Sequence, residues 1–474
     1  MSRFIGRERE LGTLGRALDS VRDAAAPGRP GKCVMLRGRR RVGKSSLVEE
    51  FLQRADVPYV FFTASGGPPD EELAELGEAV AGSGLPDRAL FAEEAPTQWQ
   101  AAFRLLADTL PDDAPSVLVI DEVPYLMDRV DAFEGMLQRA WDRQLSRKPV
   151  LLLLVGSDLS MMEALDDYER PFHQRGTEMV LGPLNPADIG EMLELGPAET
   201  FDAALITGGL PLVCREWPPG ATMWEFLAAS LDSPVSALLV SAERSLAAEF
   251  PPRAMSREVL RAIGSGERTF TNIARACGGV AHSTLNNALK VLTDKRVVAA
   301  ELPVSLTPSR ERRYRIADPY LRFWIAFLEP HMAEIERMRG DLTTTRIRER
   351  WTAWRGRAVE PLVRESLARR LPDQWLPQAP VVGGFWTRSN DVEIDLVGAD
   401  RQPVAKRLLF LGSVKWLDTA PFDAHDLAAL HKHRAAVTDE PLPLVAVSRS
   451  GARCGGLQAM YGPEELLDSW RTGL

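Results

Sequence analysis

The octapeptide GRRRVGKS, Gly38 to Ser45, constrains this chain more than any other segment, because it follows the pattern G-x-x-x-x-G-K-[ST] between an apolar strand and a helix. The strand is CVMLR, Cys33 to Arg37, and the helix opens at Lys44 and continues through SSLVEEFLQRA. A turn of this shape points backbone N–H groups at a helix start toward one spot, which suits a phosphate. Gly38 and Gly43 permit the tight backbone, while Arg39, Arg40, Arg41 and Val42 fill the variable positions. Lys44 would reach the β and γ phosphates, Ser45 would give its hydroxyl to Mg²⁺, and Ser46 completes the cradle. The expected ligands are ATP or ADP with Mg²⁺.

Strand and helix signals alternate after the loop. PYVFFTA (58–64), SVLVIDE (116–122) and PVLLLLVGS (149–157) read as strands, and EELAELGEAV and TQWQAAFRLLADTL as amphipathic helices between them. Alternation of this kind predicts an α/β fold with a parallel sheet, in the P-loop branch where an extra strand separates the loop from VLVIDE. That motif brings two carboxylates to the end of a buried strand. Asp121 would hold the metal shell, and Glu122 would polarise the attacking water. Ser157, ending the next strand, either senses the γ-phosphate or caps the helix after it. Arg175 in PFHQRG is the candidate cation for charge developing on the γ-phosphate, in its own chain or across a subunit boundary, with Arg170 as the alternative.

The order FIGREREL (Phe4 to Leu11), phosphate loop, VLVIDEVPYL, VGSDLSMME, PFHQRG and TGGLPLV resembles the archaeal-type ATPases, a STAND-like, AAA-related group of P-loop ATPases also found in bacteria. The resemblance extends over essentially the whole chain. It implies that Phe4, Ile5, Gly6 and Arg7 lie against the adenine, and that TGGLP, with Pro211, belongs to a helical lid. The expected division is an ATPase core at 1–185, a lid at 186–250, a winged helix at 251–330 and a nuclease-like domain at 331–474.

Charge singles out the middle of the chain. Residues 251–370 hold 23 Lys plus Arg against 13 Asp plus Glu, a balance of +10 in a chain of net charge −9. A basic segment in an acidic chain suggests a local polyanion contact. From Ser256 to Pro303 the pattern is helix, turn, short helix, turn, longer helix and strand, and SLTPSRERRYRI would form a wing. Ser283, Thr284, Asn286, Asn287 and Lys290 would line the exposed side of the third helix and face double-stranded DNA, with Arg312 and Arg313 on its phosphates. Tyr320, Phe323, Trp324 and Phe327 are expected to anchor packing rather than stack on bases.

The C-terminal pattern resembles the PD-(D/E)XK nuclease fold, with Glu360 on a helix, Asp395 on a strand and Lys415 at the end of the next. Where that fold carries E-x-K this chain reads Ser413-Val414-Lys415, so one expected metal ligand is a hydroxyl. Losing a carboxylate weakens a hard-cation site severely, and the expectation is a degenerate, non-cleaving domain. Glu393 and Asp391 share a strand face with Asp395.

No apolar run approaches the ~20 residues of a membrane span, the N-terminus has no apolar signal region, and Cys33, Cys214, Cys277 and Cys454 lack paired spacing. The sequence thus predicts a cytoplasmic switch ATPase whose nucleotide state controls the winged helix and the nuclease-like domain. The alternatives are an ATP-regulated, metal-dependent DNA nuclease, or an assembly or signalling ATPase that acts on a protein partner or on its own copies.

Overall fold

The computed structural model describes residues 4–22, 30–93, 95–157, 159–165, 167–168, 170–250 and 254–471. It divides into two compact units, 1–183 and 184–474.

Five parallel strands build the first unit: β1 (Lys32–Arg37), β2 (Tyr59–Thr63), β3 (Ser116–Asp121), β4 (Val150–Gly156) and β5 (Thr177–Val180), in the order β2-β3-β4-β1-β5. Strand composition follows position. The central β3 and β4 are buried along their whole length, which their unbroken apolar runs permit, whereas the edge strand β5 buries only Met179 of its four residues. β4 lies between β1 and β3, while β2, the strand that follows the loop in sequence, pairs with β3 at the edge of the sheet. Because all five strands run the same way, the ends of β1, β3 and β4 fall on one edge, and crossover helices cover the faces.

The second unit carries an antiparallel pair, β6 (Val298–Glu301) with β7 (Arg313–Ile316), and a five-stranded sheet. That sheet contains β8 (Val381–Trp386), β9 (Glu393–Ala399), β10 (Leu408–Lys415), β11 (Leu444–Ser448) and β12 (Ala459–Tyr461), in the order β12-β11-β10-β9-β8. β8, β9 and β10 are antiparallel neighbours, and β10, β11 and β12 parallel ones. A 31-residue helix, Gly340–Arg370, precedes the sheet. The three segments expected as lid, winged helix and C-terminal domain share one hydrophobic core here, running from Leu184 to Leu467. Tyr320, Phe323, Trp324 and Phe327 are buried in it. The Tyr320 hydroxyl donates to Leu238 O at 2.8 Å and accepts from Ala242 N at 2.9 Å, so the aromatic segment fastens the helix Ala237–Glu249.

An ionic junction also crosses those segments. Arg355, 2% exposed, donates to Asp202 on the helix Pro197–Thr207 at 3.1 Å and to Asp418 after β10 at 2.8 Å. Arg449, after β11, pairs with the same two carboxylates at 3.0 and 2.6 Å. Burial lifts the Asp202 carboxyl to about 6, against the pull of both arginines.

Candidate functional site

The phosphate loop forms as its pattern requires. Gly43 sits at φ 91 and caps the helix Lys44–Ala55, a left-handed conformation that favours glycine. Lys44 is buried, and among the described residues its Nζ donates to two loop carbonyls, Gly38 O at 2.9 Å and Arg39 O at 3.2 Å. Burial lowers its pKa, Asp121 and Glu122 pull it back up, and Arg40 adds to the lowering. A desolvated ammonium facing carbonyls gains when a phosphate anion replaces them.

The strand end brings the second group of residues to the loop. Ser45 Oγ donates to Asp121 Oδ2 at 2.7 Å, and the backbone N–H of Glu122 donates to Asp121 Oδ1 at 2.9 Å. Burial raises the Asp121 pKa, opposed first by the Ser45 hydrogen bond and aggravated by Glu122. A hydroxyl and a carboxylate oxygen already in contact are hard oxygen donors suited to Mg²⁺ beside phosphate oxygens. The residues present therefore fit that ion.

Glu122 turns the chain at φ 55 into the helix Val123–Arg129. Its Oε2 accepts from Ser157 Oγ at 2.7 Å and from Ser157 N at 3.3 Å. The two residues named separately from sequence thus form one pair. Gly156 makes the approach possible: a Cβ there would lie 2.5 Å from Met162 Sδ and 2.8 Å from Pro124 Cδ.

Three arginines behave differently from expectation. Arg175 cannot serve the loop of its own chain. It precedes β5, whose Thr177 is level with Val34, so it stands beside Lys32, about 20 Å from Gly38 at ~3.3 Å per strand residue. There it lines a polar cleft with Lys32, Asp142 and His173, and makes a bidentate pair to Asp142 at 2.9 Å on both arms. Arg170, the alternative, pairs with Glu134 at 2.8 Å. Arg7, expected against an adenine, is buried with its guanidinium turned to backbone carbonyls: Gly182 O at 2.7 Å, Val42 O at 3.1 Å and Pro183 O at 3.4 Å. Phe4, Ile5 and Gly6 are half-buried beside it in sequence.

Of the loop's own arginines, Arg40 is exposed and donates to the Tyr125 hydroxyl at 2.8 Å, and Arg41 adopts φ 69. Tyr125 was missed in the sequence because it lies 85 residues away, three positions after Glu122. Arg37, at the end of β1, is ion-paired with Glu163 and Glu178. Pro211 belongs to the second unit, where it opens the short helix Pro211–Arg215.

Within the second unit, the helix His282–Asp294 exposes Ser283, Thr284, Asn286, Asn287 and Lys290 and buries Leu285, Leu289 and Leu292. Arg312 is exposed as well. Arg313 is not available to a phosphate. It is 8% exposed, donates to Glu393 and to Asn390 Oδ1 at 2.6 Å, and lies 4.5 Å from the centre of the Trp386 ring.

Glu360 and Asp395 come within electrostatic reach of each other. Burial, then the facing Asp395, pushes the Glu360 carboxyl up to about 7 while Arg364 draws it down. Asp395 Oδ2 accepts from Ser413 Oγ at 2.9 Å and Val414 N at 2.8 Å, and burial raises its pKa. Lys415 turns instead to Asp426, at 2.6 and 2.9 Å to its two oxygens. Glu393, which shares the Asp395 face, is taken by Arg313 and Arg268. Among the described residues no group of three His, Cys, Asp or Glu side chains is arranged to hold a metal ion.

Comparison with known proteins agrees with the geometry of the first unit. Residues 29–164 match the model of the AAA domain family. The first unit has the parallel-sheet α/β fold of a P-loop NTPase. Outside it, residues 324–427 match a family described as archaeal and bacterial proteins of unknown function. An uncharacterized protein of Methanocaldococcus jannaschii is 24% identical over 426 residues, 88% of each chain. A Walker-type ATPase of Pyrococcus abyssi is 20% identical in its solved structure, with 68% of this chain and 96% of that one covered at a TM-score of 0.48. The ORC2 protein of Aeropyrum pernix is 14% identical, covering 73% and 96% at a TM-score of 0.45. No helix among the described residues is long and apolar enough to cross a membrane.

Proposed function

We propose that the chain is an ATP-hydrolysing switch whose output is carried by its second unit. The observation that supports this reading is the convergence of Lys44, Ser45, Asp121, Glu122 and Ser157 at the ends of three neighbouring strands. In it Lys44 leaves the Gly38 and Arg39 carbonyls for the β and γ phosphates, where its charge offsets theirs. Ser45 and Asp121 would hold Mg²⁺, which when bound would supply positive charge beside the phosphate oxygens. Glu122 orients and deprotonates the attacking water once Ser157 releases its carboxylate. Phosphate release from ATP by the purified chain tests this. Turnover should need a divalent cation and stop with EDTA; a chain that binds ATP and never releases phosphate contradicts hydrolysis.

For the output, the reading takes the helices Met255–Gly264, Phe270–Ala276 and His282–Asp294 with β6 and β7 as a winged helix that meets duplex DNA. The exposed row from Ser283 to Lys290 supports it, with Arg312 and without Arg313. DNA binding should weaken steeply with salt, and the absence of any salt-sensitive binding would favour a protein partner or assembly of several copies. The domain after 331 is read as a degenerate nuclease-like fold. Lys415 bonded to Asp426, and Ser413 in a metal ligand's place, argue against cleavage. Plasmid left intact with Mg²⁺ or Mn²⁺ in every nucleotide state is the expected result. A trans role for Arg175 stays within this proposal and predicts turnover that rises with chain concentration.

A further inference from the structure

Arg7 holds the phosphate loop and the end of the ATPase unit with one side chain. Its carbonyl partners lie 35 residues away at Val42 and 175 or more away at Gly182 and Pro183. Val42 lies inside the loop; Gly182 and Pro183 follow β5 and close the first unit. The guanidinium is buried, and its planar fork of N–H donors reaches several carbonyls at once in a fixed geometry.

A trans peptide points its C=O and the following N–H in opposite directions. Holding the Val42 carbonyl toward Arg7 therefore turns the N–H of Gly43 the other way, and Gly43 is the residue that caps the loop helix. We propose that Arg7 is a positioning residue: by holding the Val42 carbonyl it aims the Gly43 N–H at the phosphate position, and by holding Gly182 and Pro183 it couples loop conformation to the chain leaving the ATPase unit. The loop's readiness for phosphate and the placement of residues 182–183 then change together. The phosphate part rests on the nucleotide reading above; the coupling part does not.

Backbone amide exchange on the full chain, measured without nucleotide, tests the coupling directly. In Arg7→Ala, peptides covering 38–46 and 181–185 should both exchange faster, while those from β3 and β4 keep wild-type protection. Arg7→Lys should restore protection in part, and it serves as the folded variant if Arg7→Ala does not express. The affinity for a non-hydrolysable ATP analogue with Mg²⁺ should fall about tenfold in Arg7→Ala, the size expected when one hydrogen bond to an anion is misdirected, and KM should rise with little change in kcat. Wild-type exchange in either segment of Arg7→Ala overturns the coupling. Faster exchange with unchanged analogue affinity overturns the phosphate role. A wild-type chain that binds no nucleotide overturns the ATPase reading, and the exchange result still decides the coupling.

Discussion

Asp121 and Asp395 look alike at short range and differ in everything around them. Each is an aspartate on a strand, Asp121 buried and Asp395 half-buried, each accepts from a serine hydroxyl and a backbone N–H, and desolvation raises the pKa of both. Beside Asp121, and among the described residues, Lys44 hydrogen-bonds to two loop carbonyls and Glu122 to the hydroxyl and N–H of Ser157. Beside Asp395, Lys415 is matched to Asp426, Glu360 to Arg364 and Glu393 to Arg313 and Arg268. The first site keeps charges whose partners a ligand can replace; the second has spent its charges on itself. Replaceable partners, rather than the presence of acids and a lysine, are what the proposed polyphosphate site has and the cluster around Asp395 lacks.

The largest effect that would sharpen this contrast is on the chemical step. Glu122→Gln should keep ATP affinity and lower turnover on the order of a hundredfold or more, the range of a lost general base. Steady-state phosphate release with a parallel binding titration measures it, and undiminished turnover would remove Glu122 from the mechanism.

On the closed side the expected effect is on stability. With its folded pKa of about 7 above the ordinary 4.5, Glu360 keeps its proton in the folded chain where the unfolded chain has lost it. Its contribution to stability therefore falls as pH rises from about 4.5 to 7 and is flat above. Glu360→Gln should remove that decline, on the order of 1 kcal/mol for each pH unit crossed in that window, leaving the declines from the other carboxyls that burial raises, Asp202, Asp395 and Asp121. Urea unfolding at pH 5 and pH 8 checks it, and parallel pH profiles for both proteins would mean that Glu360 is not perturbed. Restoring the missing carboxylate with Ser413→Glu should still give no Mg²⁺-dependent cleavage of plasmid, because Lys415 stays with Asp426. Cleavage by that variant would show that one ligand alone had closed the site.

The smallest expected change lies on the exposed helix His282–Asp294. Lys290→Ala should weaken duplex binding about equally for all sequences and reduce the slope of log affinity against log salt by about 1. Fluorescence anisotropy over a salt series reads it, and an unchanged slope would take Lys290 off the phosphates.

What could be read in the sequence depended on how far apart the partners lie. The loop from Gly38 to Ser45 and the pair Asp121-Glu122 are local patterns, and both came out where the residues implied. The exposed row from Ser283 to Lys290 follows helical periodicity and did as well. The distance of Arg175 from the loop of its own chain was not legible because it depends on which strand lies beside β1, and chain order does not say that β5 does. The surroundings of Arg7 and Arg313 were hidden for a related reason: their partners at Gly182 and at Glu393, Asn390 and Trp386 are brought in by tertiary packing. Basic residues in a charged stretch look alike until burial sorts them. Arg312 stays in water and Arg313, its neighbour, is 8% exposed.

Calorimetric titration of the purified chain and of Lys44→Ala with ATP and Mg²⁺ tests the central claim most directly. If the Lys44 ammonium exchanges its two carbonyl partners for phosphate oxygens, the variant should lose about 2–3 kcal/mol of binding, roughly thirty- to a hundred-and-fifty-fold in affinity, with its fold intact by circular dichroism. Equal affinity in the two proteins would contradict the claim.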